Sequence, residues 1–368
     1  MERQSMQRTL RTRILGAFAV LAVATTLASS AVTANAQTAD DGTADEVGAQ
    51  ALPTSYQWES SGALIGPKPD ATHDVVSAKD PTVIRHNDEW LVYFTVANTD
   101  GHWSLAYTHF SDWSQAADAP VTYLDTNANI GTRYAAAPQI YYFEPDGLWY
   151  LVYQTGPPSY STSTDPTDPH SWSAPKNFID ETPPVVDENG GFWLDFWNVC
   201  DSTMCYLFGA DDNGRVYRAE TTIGEFPNGF RNTQIVLQDT RNNLFEGGAV
   251  YQLDNTDTYL LIWESIGSDG RYYRSYTAEG LGGQWQPQAA NQNAPFAGLA
   301  NITFPSGQWT KDISHGELIR AGNDQTMNLD TGNLQMLYQG RDPNSDGMEY
   351  SQLPYRLGLL TLRGGASC

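Results

Sequence analysis

A five-bladed β-propeller, an all-β architecture, is the fold class this sequence predicts, and three observations lead there. Five short aromatic strands, at 90–96, 148–154, 206–210, 258–264 and 334–339, recur along the 368 residues. Each follows a turn rich in Asp, Asn or Gly, and before each turn stands an earlier β-rich run, at 81–85, 138–143, 194–199, 249–253 and 317–320. No segment carries a convincing 3.6-residue amphipathic period. A supersecondary unit repeated at intervals of tens of residues marks a repeat architecture, and repeated four-strand units mark propeller blades. A β-sandwich of irregular strands is the alternative.

The blades are expected in chain order within residues 53–368, read as one catalytic domain. In the third and fourth units a further hairpin is visible. Asn213-Gly214 leads into 215–220 and Asp269-Gly270 into 271–277, and both dipeptides are hairpin signals. A fourth, Trp-bearing strand is expected around Trp172 in the second unit and Trp285 in the fourth. Residues 1–36 read as a secretory signal peptide. Four arginines precede an apolar run at 14–27, and Ala34-Asn35-Ala36 suits cleavage. Residues 37–52, rich in Ala, Thr, Asp and Gly without a period, read as a disordered leader. The leader is too short to be a carbohydrate-binding module.

Composition narrows the function. The formal charge is −23 for the whole chain. Removing 1–36 takes it to about −26, a surface that repels nucleic acid and anionic membranes. A secreted, monomeric protein acting on a neutral substrate is expected. Cys200 and Cys205 flank a short turn and could pair in an oxidising compartment, which leaves Cys368 over. Asn301-Ile302-Thr303 is an N-glycosylation sequon. Residues 342–347 begin like a calcium loop, but Leu353 stands where the closing Glu belongs, so a turn is expected. No GxSxG, HExxH or phosphate loop is present. His73, His86, His102, His109 and His170 lack metal-ligand spacing.

In a propeller the innermost strands line a central channel, so the residues heading them meet at one mouth. Those heads are Lys79-Asp80, 135–137, Asp195, Glu246 and Ser314-His315. Three acids around one small cavity suit glycoside hydrolysis. One carboxylic acid protonates the leaving oxygen, and in an inverting enzyme a second carboxylate activates water across a gap of ~6.5–9.5 Å. A third carboxylate nearby raises the pKa of the acid by like-charge repulsion. Glu264, at the end of a core strand, is the rival acid.

The motifs carrying these residues resemble a known family. SAKDPTVIRHNDEWLVYF, VYQTG, WLDFWNVCDSTMCYLF, NLFEGGAVYQL, DISHGELIR, NLQMLYQG and LPYRLGLLTL are similar to segments of the α-L-arabinofuranosidases of glycoside hydrolase family 62. The likeness runs from about residue 58 to 362. It implies a five-bladed propeller that hydrolyses arabinofuranose side chains of arabinoxylan or arabinan with inversion. By the resemblance, Asp80 matches the general base, Glu246 the general acid and Asp195 the carboxylate that tunes it. Lys79 matches a sugar-contacting lysine, and Gln154, Gln339 and Tyr350 match further sugar contacts. His315 matches a histidine near a structural calcium ion, held largely through water, and no organic cofactor is implied. Thr155 stands where the family often has Trp, and Gly247 where Ala is common. A β-xylosidase or endo-arabinanase of family 43, or a non-catalytic sugar-binding propeller, would share the architecture.

Overall fold

The computed structural model describes residues 52–190 and 192–364. The expected signal peptide, all but the last residue of the expected leader, and Cys368 lie outside the described residues. Five antiparallel blades follow one another around a channel. The first comprises Val75–His86, Glu89–Asn98, Trp103–Phe110 and Val121–Tyr123, innermost strand first. The second is Ala136–Phe143, Leu148–Gln154, Pro158–Ser163 and Lys176–Asn177, and the third is Leu194–Cys200, Met204–Ala210, Arg215–Thr222 and Arg231–Gln238. The fourth is Ala249–Leu253, Thr258–Ile266, Arg271–Glu279 and Gln286–Pro287. All ten inner and second strands sit where the repeat predicts them. The only α-helical segment among the described residues is Pro184–Asp187.

The fifth blade joins strands from the first and last parts of the described residues. Ser314–Leu318, Gln335–Gly340 and Arg356–Leu362 take Trp58–Ser60 as their next strand, with Trp58 opposite Leu362. This pairing closes the ring, and Ile302–Thr303 adds a parallel edge to it. Trp58 is fully buried, and its indole donates to the Phe296 carbonyl at 2.6 Å. Truncating such a Trp typically costs about 3–5 kcal/mol. The sequon falls beside this seam. Asn301 is buried, and its amide donates to the carbonyls of Tyr56, Pro295 and Phe296, so glycosylation does not fit the folded chain.

Blades stack face to face, so middle strands are buried on both faces and lose the alternation of a half-exposed sheet. Leu91, Val92, Tyr93 and Phe94 are consecutive and all buried. Trp172 is not in a strand, contrary to the sequence reading. It is a fully buried loop residue that donates to the Tyr93 hydroxyl at 3.1 Å and wedges the first two blades together. The outer strand there is Lys176–Asn177, and Trp285 likewise precedes its strand.

Segment 320–329 crosses the far end of the channel. Its carbonyls accept from Tyr142 (at Asn323), Cys200 (at Gln325) and Gln252 (at Met327), one inner strand of each middle blade. The Asn323 amide donates to the Arg85 carbonyl in the first blade. Arg320 is buried and binds Glu317 at 2.8 Å while donating to the carbonyls of Val83 and Ile140. This plug makes the channel a blind pocket, open at the mouth where the inner strands begin. Residues 343–345 form a 3-10 turn capped by Asp342, as expected of that motif. Cys200 and Cys205 are opposite each other across a hairpin and form a disulfide.

Replacing Arg320 by Met strands the Glu317 carboxylate in the interior. A loss of about 3–5 kcal/mol in urea unfolding is expected; a loss below about 1 kcal/mol would show that the plug does not brace the blades.

Candidate active site

Each inner strand enters the mouth through an irregular backbone. Asp80, Ala137, Asp195 and Gly247 occupy the same position in four blades, and all four are left-handed, at φ 46°, 52°, 54° and 59°. The ladder slips at this point in the first, second, third and fifth blades. A bulge of this kind re-aims a side chain. Asp tolerates the left-handed region better than most residues, and Gly enters it without strain. At Gly247 a Cβ would also press on His315 and Glu264 at 3.2 Å.

The predicted residues converge here. His315 Nδ1 lies 3.2 Å from Asp80 and 3.5 Å from Asp195. Gln339 is buried. Its oxygen accepts from the Asp80 N–H at 2.7 Å, and its amide donates to the Ser314 hydroxyl. Gln154 serves Asp195 in the same way, accepting from the Asp195 N–H at 2.9 Å. Asp195 Oδ2 accepts from the Gly247 N–H at 2.9 Å and so fixes the backbone immediately after Glu246. Lys79 is buried within a ring of Trp103, Tyr350 and Tyr355, with its ammonium 3.8 Å from the Trp103 ring, and it donates to the Tyr350 hydroxyl. As the side chains lie, Lys79 and Gln339 are turned to protein partners, whereas Tyr350 is exposed.

Glu264 is fully buried, binding Ser314, the His315 N–H and Arg271. That leaves Glu246, partly exposed, as the acid facing the mouth. Arg271 reaches both glutamates, at 2.7 Å from Glu264 and 3.8 Å from Glu246, and lies over the Phe245 ring. The sequence reading missed the roles of Arg271 and Trp103. The signal was present: the third strand of a blade runs parallel to the first, so its leading residue also stands at the mouth. Trp103 and Arg271 head such strands.

The electrostatics separate the acids. Burial pushes Asp80 upward, but Lys79 and His315 outweigh it and hold this carboxyl below the usual range. Burial raises Asp195 against the pull of His315, with Asp80 adding to the rise. Glu246 is held well above the ordinary value by burial, then by Asp195 and Glu264, with Arg271 and Lys79 opposing. His315 is kept protonated because Asp195 and Asp80 outweigh its burial. The site therefore favours the ionised form at Asp80 and the protonated form at Glu246, with Asp195 between them.

A metal fits the site less readily. Below the mouth a narrow cavity is lined by Pro81, Pro138, Asp195, Trp197, His315 and Glu317. Among the described residues no three His, Cys, Asp or Glu side chains converge to hold an ion. Calcium takes 6–8 oxygen ligands; Glu317 is spent on Arg320, and His315 Nδ1 faces carboxylates. Direct protein ligation of calcium does not fit these side chains, and the expected ion near His315 would depend on water for its shell.

The glycosyl hydrolase family 62 model matches residues 57–361. The chain belongs to glycosyl hydrolase family 62. It is 40% identical over 316 residues to the α-L-arabinofuranosidase C of Cellvibrio japonicus, covering 85% of this chain and 48% of that protein. The chain thus spans about half the length of that curated relative. The catalytic domain of the Coprinopsis cinerea family 62 α-L-arabinofuranosidase superposes with a TM-score of 0.82 at 47% identity, covering 85% of this chain and 99% of that one. The Podospora anserina α-L-arabinofuranosidase solved with cellotriose gives 0.81 at 44% identity, covering 84% and 98%. This family 62 chain carries Thr155 beside Gln154, with its hydroxyl bonded to Ser159.

Carboxyl-resolved 13C NMR checks the charge assignment without any substrate. Asp80 should titrate below the ordinary carboxylate range and Glu246 above it. His315→Gln removes the cation beside Asp80 and should move the Asp80 titration upward; an unmoved Asp80 would contradict the arrangement.

Proposed function

We propose that this protein is an inverting α-L-arabinofuranosidase that removes arabinofuranosyl side chains from arabinoxylan, and from arabinan where the branch is accessible. The observation that carries this reading is the opposed protonation of Asp80 and Glu246 at the mouth of one blind channel. Inverting hydrolysis needs that pair: a base for water and an acid for the departing oxygen.

In this reading a water molecule loses its proton to Asp80 as its oxygen bonds to the anomeric carbon. The glycosidic bond breaks on the opposite face, and Glu246 gives its proton to the leaving xylose oxygen. Positive charge develops on the sugar ring between an ionised Asp80 and its neighbours. Afterwards Asp80 is protonated and Glu246 ionised, and exchange with solvent restores both. Asp195 acts through Glu246: its charge discourages ionisation of the acid, and its bond to the Gly247 N–H holds the acid's backbone. Gln339 and Gln154 hold the backbones of Asp80 and Asp195. Family membership and names of the relatives support the substrate class. The Cys200–Cys205 pair supports an oxidising compartment and hence secretion. The abundance of surface acid supports a neutral polymer as partner, with no call for nucleic acid or membrane.

Two measurements test this. Proton NMR of fresh product from arabinoxylan should show the anomer opposite to the substrate; first-formed retained product would refute the inverting reading. The kcat/KM profile should be a broad bell. Its acid limb belongs to Asp80, which must be ionised, and lies below the ordinary carboxylate range. Its alkaline limb belongs to Glu246, which must be protonated, and lies above that range. A narrow bell confined to ordinary carboxylate values would contradict the assignment.

A further inference from the structure

The acid at the mouth is not carried by a strand. Glu246 ends a loop, 239–246, that runs from the outer strand of the third blade to the inner strand of the fourth. The loop is fastened at both ends. At its start the Asp239 N–H donates to the Gly214 carbonyl at 2.9 Å, and the Asp239 carboxylate accepts from Arg274 at 2.9 Å. Gly214 is left-handed at φ 94°, and a Cβ there would stand 2.3 Å from the Asp239 carbonyl oxygen. Loop and hairpin turn are thus in backbone contact. At its end the Phe245 N–H donates to the Glu264 carbonyl at 2.9 Å.

Arg241 lies within this loop and is exposed, yet its side chain is fixed at three points. Its Nε donates to the Asp212 carbonyl at 2.9 Å, and its Nη2 reaches the Asp212 carboxylate at 3.2 Å. Its guanidinium carbon lies 5.1 Å from the centre of the Phe245 ring, which Arg271 approaches to 4.2 Å. Phe245 is buried and immediately precedes Glu246. An exposed ion pair alone contributes little. A guanidinium does more here, because its planar fork can hold two acceptors while its face attracts an aromatic ring. Asp212 belongs to the hairpin turn that Gly214 ends, so the turn, Arg241 and Phe245 form one connected path to the acid.

We propose that Arg241, braced by Asp212, is a positioning residue for Glu246. It holds the Phe245 ring, and through it the carboxyl that follows in the chain, where that carboxyl can protonate the leaving oxygen. The proposal rests on the reading of Glu246 as the general acid. It goes beyond that reading in giving a surface arginine and a hairpin turn of the third blade a part in proton delivery. Arg241 acts through Phe245 and not on the substrate, so its loss should affect the step that needs the acid and spare substrate binding.

The test compares a xylose-linked arabinofuranoside with an aryl arabinofuranoside whose leaving group departs without a proton. Arg241→Gln should lower kcat on the xylose-linked substrate about tenfold, the scale of a misplaced catalytic group, with KM unchanged and kcat on the aryl substrate unchanged. Arg241→Lys, which keeps the cation, should fall between wild type and Arg241→Gln. Asp212→Asn should lower the same kcat, and the double variant should lose no more than Arg241→Gln alone. Unchanged kcat on the xylose-linked substrate in Arg241→Gln overturns the proposal. Equal losses on both substrates also overturn it, as do losses that multiply in the double variant. If the wild-type protein hydrolyses neither substrate, the reading of Glu246 has failed, and amide hydrogen exchange decides the loop separately. Arg241→Gln should speed exchange at Phe245 and Gly247 at least about fivefold and leave the core strands unchanged. Unchanged exchange at both amides, or equal acceleration throughout the protein, overturns the proposal.

Discussion

Two buried carboxylates within reach of a single imidazole nitrogen set the character of this protein. Asp80 and Asp195 come from the first and third blades, and His315 from the fifth. Like charges this close oppose each other's ionisation, and a protonated His315 relieves part of that cost. The relief is unequal. Asp80 has Lys79 as a second cation and stays ionised, whereas Asp195 is pushed upward. Glu246 is raised first by its own burial and then by the negative charge of Asp195 and Glu264, which favours its protonated form. Burial and this arrangement of charges together set Asp80 and Glu246 apart in their preferred protonation.

That arrangement requires the blades to stay in register around the ring, and two non-local devices supply it. The strand Trp58–Ser60 completes the last blade, so the first described strand holds the last. Segment 320–329 ties inner strands together from below, with Arg320 buried at its start. Both act far from the mouth in sequence, yet each fixes where the heads of the inner strands stand. The left-handed backbone at Asp80 and Asp195 then converts strand position into side-chain position. A conformation that is unfavourable in isolation persists where surrounding structure determines it.

How much of this could be read from the sequence follows from which features are local. A turn followed by an aromatic strand is a local pattern, so the inner and second strands, and with them Asp80, Asp195, Glu246 and His315, were legible. The strand at Trp58 was not, because three residues carry no period and their partner lies some 300 positions away. The plug was hidden in the longest interval between repeats, where no strand pattern marks it. Trp172 misled because a buried aromatic reads alike in a strand and in a packed loop. Arg271 was visible as the start of a hairpin strand, but only the parallel course of first and third strands gives that position meaning. The turned-in posture of Lys79 and Gln339 depends on Trp103, Tyr350 and Ser314, which come from other parts of the chain.

The division of labour between Asp80 and Glu246 is tested most directly by changing what the leaving group needs. An aryl arabinofuranoside with a good leaving group departs without protonation, whereas a xylose-linked arabinofuranoside requires it. The account predicts that Glu246→Ala keeps substantial kcat on the aryl substrate while losing at least about a thousandfold on the xylose-linked one, and that Asp80→Ala loses activity on both. Equal losses on both substrates in Glu246→Ala, or an active Asp80→Ala protein, would contradict it.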